Sequence, residues 1–484
     1  MRTLDNPGRI FKNTIALTTA VIGQLIGNVI LFFCLSRTFQ AEGLGIYSTI
    51  MGVFQMASIG CGMGFESFLP RELPKDLSKT NRYLIHASII SLAGAFVILL
   101  GLDILVQFLG YLPETKLGIC IISLAFLPTS LLIILRAIFI AHQKAEFIML
   151  TTLLGVIGRI LVSLLALYLG ASVISLVIIY VVFDYLALLI VLYFLVRHVI
   201  VPHWEFDRTF LLTMLRDLRT FVGLVMLGTF FSQVELVILS LARGETQVGL
   251  YSAAYKLITL WIMVADSYMT TVFPVLSVAY KESIKRAAEI RDRSIKYLWA
   301  AAFPLALGTF LVADKAIPLL CGAGFEESIG VLRLLAWYLP IDFCNAVLWR
   351  ALLAREEQNR VLRGQFVADL FRGLLALILT PQFGAIGAAL ALLLGRLAYL
   401  LHNIYWVQQR GGIRLPLIKL SWRFVLSAGI MGAGTWLLAG QLPLVPSVLL
   451  AAALYAVSVF VLRGFSAEDL ALFSRIWKRE QRPV

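Results

Sequence analysis

Long apolar segments follow one another along almost the whole chain, and short polar stretches separate them. Each segment has roughly 20 residues or more, the length that an α-helix needs to cross the hydrocarbon core of a bilayer. None shows the strict apolar–polar alternation of strands in a membrane barrel. The pattern predicts an all-α integral membrane protein with about 14 transmembrane helices. The predicted helices lie at about 14–36, 43–68, 83–109, 116–141, 148–169, 171–196, 220–242, 247–274, 297–321, 328–353, 363–380, 383–409, 420–439 and 443–463.

One stretch of the chain recurs 204 positions later, where Leu239–Pro274 repeats features of Leu35–Pro70. The identical pairs are Leu35/Leu239, Ser36/Ser240, Gly45/Gly249, Tyr47/Tyr251, Ser48/Ser252 and Pro70/Pro274. A second set, at an offset of 214, includes Arg136/Arg350, Gly170/Gly384 and Tyr185/Tyr399. Because six predicted helices separate the copies, the repeat is parallel, as in many transporters. We predict two six-helix lobes, at 1–200 and 201–410, followed by two helices and a basic cytoplasmic tail at 411–484.

Composition agrees with the membrane assignment, because 60% of the 484 residues are hydrophobic and only 14% are charged. The mean hydropathy of +0.89 exceeds what a soluble core could bury. Five cysteines lie in or beside apolar segments without the spacing of a metal site. We therefore expect no metal and no cofactor.

The basic residues that give the chain its net charge of +13 are unequally divided between the two sides of the membrane. Loops on the side of the N-terminus hold most Lys and Arg residues, whereas the opposite loops offer only Arg37, Lys116, Arg243 and Lys315. By the positive-inside rule, both termini are cytoplasmic, in a multi-pass protein of the inner, cytoplasmic membrane. The scattered basic loops suit lipid headgroups, and they argue against a nucleic-acid partner.

Several ionisable residues fall within predicted spans, where each costs at least a few kcal/mol unless it faces a partner or water. The basic candidates for substrate binding are Arg159, Lys256, Arg372, Arg396, Arg136 and Arg350. The acidic candidates for proton or sodium coupling are Asp184, Glu235, Asp266 and Asp369. Two structural ion pairs are the alternative interpretation: Asp369 with Arg372 at i,i+3, and Arg159 with Asp184 across two helices.

The excess of basic over acidic groups predicts a cationic passage between the lobes. Arginine binds phosphate and carboxylate oxygens through its planar fork, so the expected cargo is anionic. A cationic drug would instead require unpaired carboxylates in the passage.

The duplicated G-x-Y-S turns at 45–48 and 249–252, the R-E-L at 71–73 and the G-A-x-G-A-A-x-A at 384–391 carry a family resemblance. Over about residues 10–410, the chain resembles the polysaccharide transporters, or O-antigen flippase-like proteins, of the multidrug/oligosaccharidyl-lipid/polysaccharide exporter superfamily. The resemblance implies two lobes that rock between inward-open and outward-open states and move an undecaprenyl-pyrophosphate-linked oligosaccharide to the periplasmic leaflet. Fourteen helices are similar to the lipid II flippase branch, in which the last two helices form a groove for the lipid tail.

The predicted function is therefore a non-enzymatic flippase for lipid-linked oligosaccharide in the biosynthesis of surface polysaccharides, such as O-antigen, lipopolysaccharide or exopolysaccharide. Its expected partners are this anionic lipid, membrane lipids, a coupling proton or sodium ion, and polysaccharide assembly proteins. An ion-coupled drug or metabolite antiporter of the same superfamily is the alternative, and it would depend on the acids rather than the bases. A membrane glycan polymerase or ligase would need a large outer loop, and the predicted outer loops are short.

Overall fold

The computed structural model describes residues 7–218, 233–411, 415–439, 443–466 and 469, which form helices and no strands. The helices of the N-terminal part are α1 (Pro7–Gly62), α2 (Phe65–Glu72), α3 (Thr80–Phe108), α4 (Pro113–Ser123), α5 (Phe126–Ala141), α6 (Ala145–Tyr168), α7 (Val173–His198) and α8, described over 208–218. Those that follow are α9 (Val234–Arg243), α10 (Glu245–Glu282), α11 (Ile284–Cys321), α12 (Glu327–Ala336), α13 (Tyr338–Ala354), α14 (Gln358–Gly411), α15 (Leu417–Ala439) and α16 (Leu444–Val461). The prediction of an all-α membrane protein is confirmed.

Nine helical segments of the described residues are long and apolar enough to cross a membrane. Two helices are far longer than one span: α1 has 56 residues and bends at Gln40, and α14 has 54 residues and bends at Gly384. Both bends separate segments that the sequence predicts as two spans. Most of the helix predicted at 220–242 lies outside the described residues, so the count of fourteen stays a prediction.

The internal repeat is visible in the backbone as well as in the sequence. Gln40 and Gly244, which are 204 positions apart, both have a positive φ and both interrupt a helix. Gly170 and Gly384, which are 214 positions apart, share this feature. Positive φ is unfavourable for most side chains, so helix breaks at matching places indicate a common ancestral segment.

By its internal contacts, the chain divides into two units. The first contains Met1–Ser252, Cys321–Gly324 and Gly373–Ala388, and the second contains Ala253–Leu320, Phe325–Arg372 and Ala389–Val484. The predicted lobe boundaries at 200 and 410 remain predictions. Each unit is described below by itself.

Within the first unit, the two copies of the G-x-Y-S segment contact each other through their glycines. A Cβ atom on Gly45 would overlap the carbonyl oxygen of Glu245, and one on Gly249 would overlap the carbonyl oxygen of Ala41. The contact is reciprocal, because Ala41 and Glu245 are also 204 positions apart. The buried Glu245 side chain accepts a hydrogen bond from Thr115 Oγ1 at 2.8 Å. Only glycine permits so close an approach of two backbones.

The segment that follows α7 docks on the beginning of α3, also within the first unit. Asn81 Nδ2 donates to the carbonyl oxygen of His203 at 2.9 Å and to Glu205 Oε2 at 3.0 Å. The Arg82 guanidinium forms an ion pair with Glu205. The buried His86 ring accepts the Asp207 N–H through Nε2 at 2.9 Å. These bonds fix the path from α7 to α8.

In the second unit, α15 and α16 pack beside α11. Tyr455 Oη donates to the carbonyl oxygen of Ala300 at 2.7 Å, and a Cβ atom on Gly432 would lie 2.6 Å from Leu307 Cδ2. Beyond α16, the Asp469 carboxylate pairs with Lys296 and accepts a hydrogen bond from Tyr297 Oη at 2.6 Å.

Candidate functional site

A cavity of about 170 Å³ lies among α1, α5, α6 and α7 of the first unit. Its volume equals the liquid volume of roughly five or six water molecules. Its polar and ionisable lining residues are Gln24, Thr129, Arg136, Thr151, Thr152, Arg159, Tyr180 and Asp184. Three of the predicted site residues, Arg136, Arg159 and Asp184, therefore come together at one cavity within the predicted spans.

Small residues on α6 allow α6 and α7 to approach closely beside this cavity. A Cβ atom on Gly158 would lie 2.8 Å from the Phe183 ring, whereas one on Gly155 would lie 3.6 Å from Ala187 Cβ. Gly155 lines the cavity itself, where a side chain would occupy space. This packing positions Arg159, the residue after Gly158, opposite the polar side chains of α7.

The two guanidinium groups have different surroundings. The Arg159 guanidinium carbon lies 4.3 Å from the centroid of the Tyr180 ring, at the distance of a cation–π contact. Arg136 projects from α5, and its buried Nε has no hydrogen-bond partner among the described residues. A buried guanidinium N–H that lacks an acceptor favours a ligand with oxygen atoms.

Asp184 is the acidic residue of the cavity lining. Its Oδ2 accepts a hydrogen bond from Thr129 Oγ1 at 3.2 Å, and the charges of Arg159 and Arg136 both act on its carboxylate. The cavity therefore combines two fixed positive charges, one carboxylate, hydroxyl groups and the amide of Gln24. Such a set suits a small oxyanion or the headgroup of an anionic lipid.

Three of the predicted basic residues of the second unit, Arg350, Arg372 and Arg396, are held in ion pairs. Arg372 pairs with Asp369 at 3.3 Å, which confirms the interpretation of these two residues as neighbours on one face of a helix. Arg350 Nη2 lies 3.0 Å from Asp266 Oδ1, and its guanidinium stacks 4.3 Å from the Trp349 ring.

Arg396 pairs with Asp342, and its Nε donates to Asp342 Oδ1 at 2.6 Å. The partners of Arg350 and Arg396 are 84 and 54 positions away in the chain, so spacing along one helix could not reveal them. Lys256 lies half-buried on α10.

Sequence reasoning missed several residues of both charged regions. Asp342, which is 2% exposed, sits near the middle of a predicted span, so a complete inventory of acids would have included it. The cavity residues Thr129, Tyr180 and Gln24 have no distinctive sequence signal, because hydroxyl and amide side chains are common in membrane helices. Glu235 is buried on α9 in the first unit, and it is not part of the cavity lining.

No group of three or more His, Cys, Asp and Glu side chains within the described ranges has the arrangement of a metal site. All five cysteines are free thiols.

Comparison with known proteins gives matches in sequence and in fold. A curated relative, the "Probable low-salt glycan biosynthesis flippase Agl15" of Haloferax volcanii, is 21% identical over 206 residues, which cover 42% of this chain and 44% of the relative. The match thus spans less than half the length of that relative. Among solved structures, the lipid II flippase MurJ has a TM-score of 0.76 at 17% identity, covering 92% of this chain and 98% of that chain.

A multidrug resistance MATE family transporter of the MOP superfamily has a TM-score of 0.66 at 16% identity, covering 80% of this chain and 94% of that chain. These likenesses show that the chain has the transporter fold that both proteins share. A family model described as "Polysaccharide biosynthesis protein" matches residues 34–330, well over half of the chain. The chain belongs to this family of polysaccharide biosynthesis proteins, as its duplicated glycine and tyrosine motifs indicate.

Proposed function

We propose that this protein is a flippase that moves a polyprenyl-pyrophosphate-linked oligosaccharide across the cytoplasmic membrane for polysaccharide biosynthesis. The observation that carries the proposal is the cavity among the predicted spans in which Arg136 and Arg159 outnumber the single carboxylate of Asp184. In a medium of low dielectric constant, two guanidinium groups attract an anion far more strongly than they would in water. They can replace part of the hydration that a pyrophosphate loses on leaving water.

Similarity to proteins named as flippases supports the same function. The curated relative from Haloferax volcanii is named as a glycan biosynthesis flippase, and the structural neighbour MurJ is named as a lipid II flippase. The protein would act without chemical transformation of its cargo, with the polyprenyl tail remaining in the lipid. Both termini would lie in the cytoplasm, as the distribution of Lys and Arg predicts.

The other predicted binding residues are Lys256, Arg350, Arg372 and Arg396. Arg350, Arg372 and Arg396 already contact carboxylates, so each would have to exchange its carboxylate for the cargo. Lys256 remains a candidate for a second contact with the cargo. Transport also requires that the cargo or a coupling ion bind the two end states with different free energies. Asp184 is the first candidate for that ion, followed by Glu235, Asp266 and Asp369.

The test is the production of surface glycan in cells that lack the native protein. We expect Arg136→Ala and Arg159→Ala to lower glycan production about tenfold or more at equal membrane abundance, because each removes a charge-assisted contact worth about 1.5–3 kcal/mol. Gly101→Ala is a suitable control, since no other residue approaches that position within 4 Å. Normal glycan production by both arginine variants would refute the proposal.

A drug or metabolite antiporter is the second candidate, and the MATE-like fold together with Asp184 in the cavity favours it. This alternative predicts that Asp184→Asn abolishes export of a cationic compound, while Arg136→Ala leaves it intact. Assays of Arg136→Ala separate the candidates, because the flippase proposal predicts that this variant loses glycan production.

A further inference from the structure

We propose that Asp184 is an exchangeable counter-ion, so that the cavity takes up one proton with each diphosphate headgroup that it binds. This inference rests on the proposed function and deepens it, because it names the charge state of the cargo that the site selects. It follows from the charges that face one another in the cavity and from the size of the cavity.

The groups that act on Asp184 come from three helices, α5, α6 and α7. Arg136 on α5 and Arg159 on α6 provide the positive charge, and Thr129 on α5 donates a hydrogen bond to the carboxylate. Tyr180 on α7 lines the cavity, and Tyr47 on α1 lies near Tyr180 and Arg159; both phenols are neutral near pH 7 and add no charge. Glu66 on α2 also acts on Arg136, but its side chain is exposed, so solvent weakens its effect.

The net charge of the cavity determines which ligand charge it can balance. With an ionised Asp184, the two arginines leave the cavity with one net positive charge, which balances a phosphodiester with one negative charge. A polyprenyl diphosphate that is esterified to a sugar carries two negative charges. The cavity balances that headgroup only when Asp184 is protonated, since an uncompensated negative charge away from water is costly. The dianion therefore binds together with a proton, whereas the monoanion does not need one.

The size of the cavity agrees with recognition of the phosphates rather than of the sugars. Its volume of about 170 Å³ can hold a diphosphate but not an oligosaccharide. Its ionic groups, two arginines and one aspartate, complement the negative charge of a phosphate group. These three groups are too few to contact several sugar rings at once. The site is thus suited to discriminate among lipid-linked glycans by the charge of the linkage.

The experiment uses the full-length protein in nanodiscs of zwitterionic lipid. Two synthetic ligands share the polyprenol and the sugar, but one has a diphosphate linkage and the other a monophosphate linkage. Calorimetric titration in buffers of different ionisation enthalpy, between pH 5.5 and 8.5, yields both the dissociation constant and the number of protons taken up. We expect up to one proton per diphosphate ligand, with affinity falling by up to about tenfold per pH unit above the titration of Asp184. For the monophosphate ligand we expect no uptake.

Asp184→Asn keeps the shape of the side chain and can still accept the Thr129 hydrogen bond. We expect this variant to bind the diphosphate ligand with an affinity that does not depend on pH and without proton uptake. Uptake that persists in the variant would overturn the inference, as would equal uptake with both ligands in the parent protein. Binding of the diphosphate without any proton would also overturn it while leaving the proposed flippase intact. Failure of the parent protein to bind either ligand would overturn the proposed function as well.

Discussion

Arg136 and Arg350 occupy equivalent positions in the two copies of the internal repeat, yet they have different surroundings. Arg136 lines a cavity, and its Nε has no hydrogen-bond partner in the described part of the chain. Arg350 is held by Asp266 and by the ring of Trp349. The duplication thus preserved the residue but not its environment, and only in the first unit does this arginine line the described cavity.

Other positions that match at an offset of 214 also differ between the two copies of the repeat. At the offset of 214, Gly155 corresponds to Asp369, and Gly158 corresponds to Arg372. In the first unit these glycines allow α6 to pack closely on α7, whereas in the second unit an ion pair occupies the matching places. Conversely, Asp184 corresponds to Ala398. In the proposed function the first unit therefore provides the binding cavity, whereas internal ion pairs occupy the matching positions of the second unit.

The largest effect should come from breaking an ion pair of the second unit. Asp342→Ala leaves the half-buried Arg396 guanidinium without its carboxylate, which should lower the free energy of unfolding by about 3–5 kcal/mol. Thermal unfolding in detergent measures the loss. The double variant Asp342→Leu/Arg396→Leu removes both charges and should recover much of the stability. If the single variant is as stable as the parent protein, the claim that ion pairs stabilise the second unit is wrong.

The next effect tests the place where the two repeats are equivalent. Gly45→Ala and Gly249→Ala each put a Cβ atom against backbone that cannot rotate away, and each should cost about 1–3 kcal/mol. The reciprocal geometry predicts similar losses of thermal stability. Gly308→Ala, where no other residue lies within 4 Å, is the matched control and should change stability little. Unequal losses at Gly45 and Gly249 would contradict the reciprocal contact.

A smaller effect should distinguish the two glycines of α6. Gly158→Ala directs a Cβ atom to 2.8 Å from the Phe183 ring, so α6 and α7 must separate and affinity for a diphosphate lipid should fall several-fold. Gly155→Ala meets Ala187 at an ordinary contact distance, so the two helices need not separate and any loss of affinity from filling the cavity should be smaller. Binding measurements on both variants test whether close helix packing forms the cavity, and equal affinities would show that it does not.

The smallest effect concerns the polar contacts that fix segments outside the spans. Hydrogen bonds from Asn81 and Arg82 hold the pKa of the Glu205 carboxyl below its ordinary value. Because the pKa is lower in the folded protein, this contribution is complete above the ordinary pKa of about 4.3 and is lost as the pH falls through the folded value. Amide exchange at residues 199–207, corrected for its intrinsic pH dependence, should therefore rise on acidification. Glu205→Gln should lack this dependence.

The corresponding contact in the second unit is formed by Asp469. Burial alone would raise the pKa of Asp469, but hydrogen bonds from Lys296 and Tyr297 outweigh that effect and lower it. Acidification should therefore increase amide exchange in this segment as well. A fall in amide exchange at low pH would contradict the roles assigned to Glu205 and Asp469.

Much of the fold was predictable because apolar length determines where helices can cross a membrane. The bends at Gln40 and Gly384 also fall where the sequence places short polar or glycine-rich interruptions. The pairing of Asp369 with Arg372 was predictable because both lie on one helical turn. Arg396 and Asp342 come together only through tertiary packing, so no local pattern predicts their contact. The cavity depends on how tightly Gly158 packs on Phe183, which the sequence alone does not reveal.

The most direct test of the central claim is the affinity of purified Arg136→Ala and Arg350→Ala for a polyprenyl-diphosphate-linked sugar. These variants make the same substitution at equivalent positions of the two repeats, so they differ only in surroundings. We predict that Arg136→Ala weakens binding about tenfold to a hundredfold, as expected for the loss of a charge-assisted hydrogen bond, and that Arg350→Ala stays within about threefold of the parent protein. Equal losses in the two variants, or a larger loss for Arg350→Ala, would contradict the assignment of the binding site to the first unit.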